Sequence, residues 1–358
     1  MTKGKMKKRL GQAFIGILTG ANLFTILLLW VCVGCAYVSP QVFPQLSVVC
    51  LTFPVILVFN LLFLLLWILI RIRMVWLPLA GMLCMGLFIY DYCPMRMPFA
   101  SKADTDSTIC LITLNAGGIT QQEFDSLTAY VEQMNPDILC LQELSNGWLW
   151  TERTLDWTHK GGYERIMSHG RAILTRYPIL GDTLQMNMPS SGNGALALWM
   201  NVDGDSVMLC NCHLESNHLD PEDKNQYKEA IRDPQEERLR KSGKLLARKL
   251  IRSASVRAQQ TDTLCSWLDR NKEASVIMCG DFNDTPISYT CLKVGRRLHS
   301  SYTEAGAGIG ISFNQGGFPV RIDHAYHSAD WQSIQTNIDR SLSLSDHYPL
   351  VTYLRRKK

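Results

Sequence analysis

Between Leu10 and Ile70 the chain has no Asp, Glu, Lys, Arg or His. An uncharged stretch of that length far exceeds the roughly 20 apolar residues that cross a bilayer, so the first part of the chain belongs in a membrane. The remainder lacks an excess of positive charge. Of 36 Lys+Arg and 32 Asp+Glu, eight basic and one acidic side chain lie in residues 1–100, leaving 28 basic against 31 acidic beyond them. A net charge of −3 there argues against the bulk positive field of a high-affinity nucleic-acid binder, though a local basic groove is compatible with it. After the membrane region no C-x-x-C pair marks a zinc site. The one such spacing, Cys32 to Cys35, falls inside the first apolar run. Internal repeats and low-complexity segments are also missing.

Pro40 and Pro44 break the apolar stretch once, and Arg71 and Arg73 form a short charged turn after it. The pattern predicts a membrane region over residues 1–92 with three transmembrane helices at about 13–37, 48–70 and 75–92. Tyr90 and Tyr92 close the third, where aromatic side chains suit a membrane interface. A cleaved signal peptide fits the basic start, but two more apolar runs follow it. A lipoprotein-type Cys35 has Cys32, not Leu, three residues before it. Lys3, Lys5, Lys7, Lys8 and Arg9 precede the first span, and Arg71 and Arg73 separate the second and third. The positive-inside rule then puts the N-terminus in the cytoplasm and everything after about Asp91 on the exoplasmic side of the cytoplasmic (inner) membrane.

Residues 93–107 read as a polar linker with Pro94 and Pro98, and residues 108–358 as one large domain. Strand signals run over residues 108–114, 138–141, 171–175, 195–200, 207–212 and 275–279, with a hairpin turn at Asp203-Gly204-Asp205. Helical spacing marks residues 121–134. Residues 219–268 are charge-rich, with two helical runs near 236–250 and 255–268. There Arg238, Arg240, Lys241, Lys244, Arg248 and Lys249 interleave with leucines, as in an amphipathic helix with a solvated basic face or a surface that touches phosphates or an anionic membrane. Cys110, Cys140, Cys210 and Cys279 sit inside apolar runs and read as core. The alternation points to an α+β fold with two sheets packed face to face and helices outside.

Polar residues gather at the ends of these runs: Asn115, Glu143, His213, the string Gly280-Asp281-Phe282-Asn283-Asp284 and, after Leu342-Ser343-Leu344, Ser345-Asp346-His347. Polar side chains at strand ends face solvent or a ligand. Together they are the inventory of a metal-dependent phosphoester hydrolase, which needs a cation, an activated water and donors for developing charge. Glu143 is a good first ligand for Mg²⁺, with Asn115 and Asp346 completing or flanking it. Asp281 and Asn283, two apart, face the same way if extended, yet the string is also good turn chemistry. Asp346 and His347 are neighbours and point to opposite sides, so His347 needs a different carboxylate. Asp323 is the best candidate, with Asp284 or Glu215 next in line. His213 is placed to donate to a phosphate oxygen. His159, His169, His218, His299 and His327 default to structural roles.

These strings resemble the endonuclease/exonuclease/phosphatase superfamily, as a membrane-anchored bacterial-type member. The matching elements are Leu114-Asn115, Leu141-Gln142-Glu143, Gly170-Arg171-Ala172, His213-Leu214-Glu215, Gly280-Asp281-Phe282-Asn283, Arg321-Ile322-Asp323-His324 and Ser345-Asp346-His347. They follow the family order over about residues 108–354. His324 stands where the family often has Tyr. The resemblance implies a four-layer α/β/β/α sandwich of two packed mixed sheets. It also implies Mg²⁺, with Mn²⁺ as the alternate, supported by Glu143, Asn115 and Asp346. It assigns catalysis to Asp281, Asn283, His213, His347 and Asp323, and substrate contacts to Arg171, Asn283 and His213. The expected function is phosphodiesterase or phosphatase action on a lipid-, inositol- or nucleotide-type substrate. The alternatives are an exported nuclease acting on DNA or RNA and a non-catalytic membrane-tethered binding module. The expected partners are the phosphoester substrate and the lipid bilayer. Nucleic acid is not favoured by the net-negative domain, and the sequence points to no protein partner.

Overall fold

A computed structural model describes residues 3–96, 108–117, 119–144, 152–187, 193–219, 221–233, 236–315 and 318–357. The helices α1 (Lys3–Ala36), α2 (Leu46–Leu51), α3 (Phe53–Ile70), α4 (Trp76–Cys84) and α5 (Gly86–Tyr92) come first. Two helices, spanning Arg9–Ala36 and Phe53–Ile70, are long and apolar enough to cross a membrane. The third predicted span is broken: α4 and α5 meet at a 69° bend, and Met85 between them leaves the helical region. Polar contacts knit the bundle. Trp67 Nε1 donates to Asn22 Oδ1 at 3.0 Å, Asn60 Nδ2 to the Thr25 carbonyl at 3.2 Å and Trp30 Nε1 to the Gly81 carbonyl at 3.2 Å. Phe53, at the start of α3, meets Tyr92, at the end of α5, with ring centroids 5.6 Å apart. Tyr37 meets Phe88 at 6.3 Å. The end of α5 therefore lies beside the end of α1, away from Arg71.

The second part is a sandwich. Its elements in chain order are β1 (Ile109–Asn115), α6 (Gln121–Met134), β2 (Ile138–Gln142), α7 (Glu152–Lys160), β3 (Glu164–Ser168), β4 (Arg171–Thr175), β5 (Ile179–Asn187), β6 (Gly194–Val202), β7 (Asp205–His213), α8 (Pro221–Arg232), α9 (Glu236–Arg270), β8 (Ser275–Asp281), α10 (Tyr289–Gly295), β9 (His299–Ser300), α11 (Ser301–Ala305), β10 (Phe313–Gln315), β11 (Phe318–Val320), β12 (Asp323–His327), β13 (Trp331–Ile338) and β14 (Leu350–Arg356). One six-stranded sheet has the order β13-β14-β1-β2-β4-β3, the other β5-β6-β7-β8-β12-β9. Each sheet is mixed and holds one parallel pair, β1 with β2 and β7 with β8.

Alternation along the strands assigns the faces. Leu111, Cys140 and Ile173 of the first sheet pack against Leu196, Leu209, Ile277 and Cys279 of the second. On the outer face of the first sheet, Ile112 and Leu114 meet Leu127 and Val131 of α6. On the outer face of the second, Met208, Cys210 and Met278 meet Leu264 and Leu268 of α9. These are the four layers α/β/β/α. Burial on both faces explains why the central strands read as unbroken apolar runs, and why Cys110, Cys140, Cys210 and Cys279 are buried free thiols. A reciprocal capping box between Thr120 and Glu123 starts α6, and Asn135 ends it at φ 49°. Such a cap contributes about 1 kcal/mol.

Two local expectations change. The helical runs near 236–250 and 255–268 form one 35-residue helix, α9, because no residue between them breaks the pattern. Leu342-Ser343-Leu344 is not a strand; β14 begins only at Leu350, after Pro349. Proline cannot donate within a ladder, and His347 makes an isolated bridge to Phe313 instead. The helical bundle and the sandwich touch. Ile287, beyond β8, is fully buried in a cluster with Leu29, Val33 and Phe53, and Leu292 packs against it. Gln41 Nε2 donates to Asp262 of α9 at 2.9 Å. The buried Arg321 donates to the carbonyls of Asp91 and Ile309, at 2.5 and 2.7 Å.

Candidate active site

Both parallel pairs point their C-terminal ends at one place. In register, Asn115 lies opposite Gln142 and His213 opposite Asp281. β12 enters antiparallel to β8, with Asp323 opposite Asp281. Glu143 follows β2 directly. Asn115, Glu143, His213, Asp281 and Asp323 thus reach the seam between the sheets from strand ends.

Asn115 spans the seam. Its amide donates to Glu143 Oε1 at 3.0 Å and to Asp281 Oδ2 at 2.9 Å. Asp281 is buried and also accepts the Asn283 backbone N–H on Oδ1 at 2.8 Å and the Asn283 side-chain amide on Oδ2 at 3.1 Å. Asp281 and Asn283 therefore meet through a turn and not an extended strand; Asn283 has φ 52°. The other amide hydrogen of Asn283 goes to the Leu214 carbonyl at 3.1 Å, so Asn283 orients Asp281. Glu143 also sits at positive φ, 55°. A non-glycine residue there costs roughly 1–2 kcal/mol, and such strain clusters at functional sites.

His347 Nδ1–H donates to Asp323 Oδ2 at 2.8 Å. Its Nε2 lies 3.8 Å from Asp281 Oδ2, too far for a hydrogen bond. Burial alone would lower the His347 pKa, but the charges of Asp323 and then Asp281 overcome it and raise the group to about 10. The ring is cationic at neutral pH. Burial raises Asp281, and the charge of Asp323 adds to this against the pull of His347 and His213. Glu143 is held down to about 2, chiefly by His213, with the Asn115 amide helping against burial. His213 Nε2 is 3.3 Å from Glu143 Oε1 without hydrogen-bond alignment and has no hydrogen-bond partner among the described residues. Glu143, His213 and Asp281 form one group with ligand atoms close enough to share a cation; Asp281, Asp323 and His347 form a second.

The other named residues lie around this centre. Asp346 is beside Gly117, on the Asn115 side, and belongs to neither group. Arg171 is wholly buried at the start of β4, near Cys212 and Cys210. Asp284 and Glu215 are engaged elsewhere. Arg257 Nε donates to Asp284 at 3.3 Å, and His218 Nε2 contacts Glu215 at 2.8 Å. Neither carboxylate serves His347.

Several supporting residues were not singled out as functional in the sequence. Gln142 Nε2 donates to Asn211 Oδ1 at 2.7 Å, and Asn211 Nδ2 to the carbonyls of Leu141 and Ala172 at 3.0 and 2.8 Å. This buried amide pair ties the two sheets directly beneath the site. Arg257 hides among the charges of α9, yet it is buried and clamps Asp284, Asn217 and the Glu215 carbonyl. Ser312 Oγ accepts the backbone N–H of Ile322 and of Asp323 at 3.1 Å, setting the start of β12. An isolated polar residue in an apolar run is the one clue for Asn211.

Residues 112–347 match the Endonuclease/Exonuclease/phosphatase family, and residues 15–92 match a domain of unknown function. No curated protein matches the chain. Among solved structures, an endonuclease/exonuclease/phosphatase family protein from Bacteroides thetaiotaomicron aligns at TM-score 0.50 and 16% identity, over 70% of this chain and 99% of that one. ANGEL2, a 2′,3′-cyclic phosphatase, aligns at TM-score 0.50 and 14% identity, over 70% of this chain and 95% of that one. At these identities the structures speak for the fold alone. The family match covers more than half of the chain and includes every strand end that meets at the seam. The chain is thus a member of the Endonuclease/Exonuclease/phosphatase family, the metal-dependent phosphoesterases and nucleases.

Proposed function

We propose that this protein is a membrane-anchored phosphoester hydrolase in which Asp281 handles the attacking water and His213 and the His347–Asp323 pair meet the phosphoryl oxygens. The observation that carries the reading is Asp281 itself. It is a buried carboxylate held by three N–H donors, from Asn115 and Asn283. Burial raises its pKa, bringing it nearer to what a general base needs. His347, cationic and oriented through Nδ1, keeps Nε2 for an anionic oxygen. His213 Nε2, with no hydrogen-bond partner among the described residues, has the same chemistry available.

The donor set suits a hard divalent cation, Mg²⁺ or Mn²⁺. Glu143 is ionised and its side chain is 43% exposed, and Asn115 holds it in place. Asp346 adds a carboxylate nearby, and hard cations prefer such oxygens. Glu143 would hold the ion, with Asn115 and Asp346 in support. When bound there, the cation supplies neutralisation of phosphoryl charge and Lewis-acid activation.

The membrane reading has two supports besides apolarity. Lys3, Lys5, Lys7, Lys8, Arg9, Arg71 and Arg73 belong to one end of the bundle. The ends of α1 and α5 meet at the other, against the sandwich. Three crossings with a cytoplasmic N-terminus and an exoplasmic catalytic domain, residues 108–358, fit both. Ile287, six residues beyond Asp281, is buried among the helices. This tethers the site to the membrane surface and favours a lipid-type phosphoester over nucleic acid.

The test is a panel with Mg²⁺: phospholipid vesicles, inositol phosphates, a bis-aryl phosphodiester, plasmid DNA and RNA. Turnover on a phosphoester of the first three kinds should disappear in excess chelator, and Glu143→Ala should lower it by about 100-fold or more with folding intact. Undiminished hydrolysis in chelator would overturn the metal reading. Cleavage confined to DNA or RNA would establish the nuclease alternative.

A further inference from the structure

A cavity of about 570 Å³ lies between the helical bundle and the second sheet. It is separate from the seam that holds Asp281. One wall is apolar and comes from α5 and α10: Leu87, Phe88 and Leu292. Arg96, Arg296 and Arg321 line it as well. None of these arginines has a carboxylate within ion-pair distance among the described residues. Arg296 instead stacks on the Tyr37 ring at 4.9 Å. Arg321 is 3% exposed; it stacks on the Tyr302 ring at 4.0 Å, gives its terminal nitrogens to backbone carbonyls, and its Nε has no hydrogen-bond partner among the described residues. The acids in the lining are already occupied. Glu304 is bound by His327 Nε2 at 2.7 Å and by the Ser333 N–H at 2.9 Å. Asp91 faces Thr303 and Arg321.

We infer that this cavity binds one anionic glycerophospholipid of the surrounding membrane. The phosphate would lie against Arg96 and Arg296, and an acyl chain would run along Leu87 and Phe88. Its depth supports a lipid over a soluble anion. Tyr37 and Tyr90 line it at the ends of α1 and α5, and tyrosine at helix ends marks the headgroup level of a bilayer. The inner wall includes Arg321 and His324, which flank Ile322 and Asp323, so an occupied cavity would brace the strand that carries the partner of His347. The inference rests on the membrane placement proposed above and not on the choice of substrate.

Full-length protein in detergent, with chelator present to stop turnover, is offered equal amounts of phosphatidylglycerol and phosphatidylcholine with identical chains, and retained lipid is read by native mass spectrometry. Phosphatidylglycerol should be retained at least about fivefold over phosphatidylcholine, as expected for two arginines near a headgroup. Arg96→Ala with Arg296→Ala should bring the ratio close to one, and the two Lys substitutions should keep it. Both arginines are exposed, so folding is not at stake. Equal retention by wild type, or a preference unchanged in the double alanine variant, would overturn the inference. Hydrolytic activity plays no part in the readout, so failure here is distinct from failure of the hydrolase reading.

Discussion

His347 sits between two carboxylates and uses them differently. It is bonded to Asp323 at 2.8 Å and stands 3.8 Å from Asp281. If Asp323 and His347 act as a unit, their losses will not multiply. Asp323→Asn and His347→Ala should each lower turnover by about 100-fold or more, and the double variant should be little worse than the more damaging single. Independent, multiplicative losses at saturating metal would break the pairing. His324 gives a prediction in pH. Its ring is buried, with Nε2 2.9 Å from the Asp284 carbonyl. Burial, then the charge of Arg321, push its pKa down to about 4. The unfolded chain, with an ordinary histidine near 6.5, binds more protons between pH 6.5 and 4, so stability falls as pH drops through that window. The loss is on the order of 3 kcal/mol at most. Unfolding followed at pH 7 and pH 4.5 should show a smaller acid penalty in His324→Gln than in wild type. Equal penalties would mean that another group dominates.

At the level of elements, the parallel pairing of β7 with β8 controls the site, because it sets His213 beside Asp281. Gly280 allows it. The residue has φ +133°, and a Cβ there would come within 1.9 Å of the Cys212 carbonyl oxygen on β7. Neither the backbone conformation nor the space admits a side chain. Gly280→Ala should cost more than about 3 kcal/mol or prevent folding. Gly243, on α9, has open space around it, and Gly243→Ala should be neutral or stabilise by up to about 1 kcal/mol. Thermal unfolding of the two variants checks the contrast; similar stabilities would remove the argument from close strand approach.

The whole molecule couples two units that the sequence separates. Ile287 inserts among the helices, Gln41 reaches Asp262, and Arg321 holds the Asp91 carbonyl. Contacts on this scale fix the domain to the α1 and α5 ends of the bundle. With the N-terminus in the cytoplasm, as proposed above from the charge bias, a C-terminal reporter active only in the cytoplasm should stay dark, and one active only outside it should report. The reverse result would show that the bent α4–α5 pair does not cross.

Periodicity and charge bias were enough to recover the helical first part, the alternating strands and the α+β sandwich, because burial on one or both faces of an element imprints itself on neighbouring residues. The strings around Asn115, Glu143, His213, Asp281 and His347 were legible for the same reason: each interrupts an apolar run at its end. Alternation sent Asp346 and His347 to opposite sides and left Asp323, Asp284 and Glu215 as candidates, and the folded chain brings Asp323 to His347. Other features needed the folded chain. The bend at Met85 and the positive φ of Asn283 that aims it at Asp281 depend on local backbone geometry that composition does not encode. The Gln142–Asn211 bridge, the Arg257 clamp on Asp284 and the Arg321 contact with Asp91 join residues 69, 27 and 230 positions apart. Such contacts leave no periodic trace, since each partner looks like an ordinary polar residue until the two sheets and the helical bundle close around it.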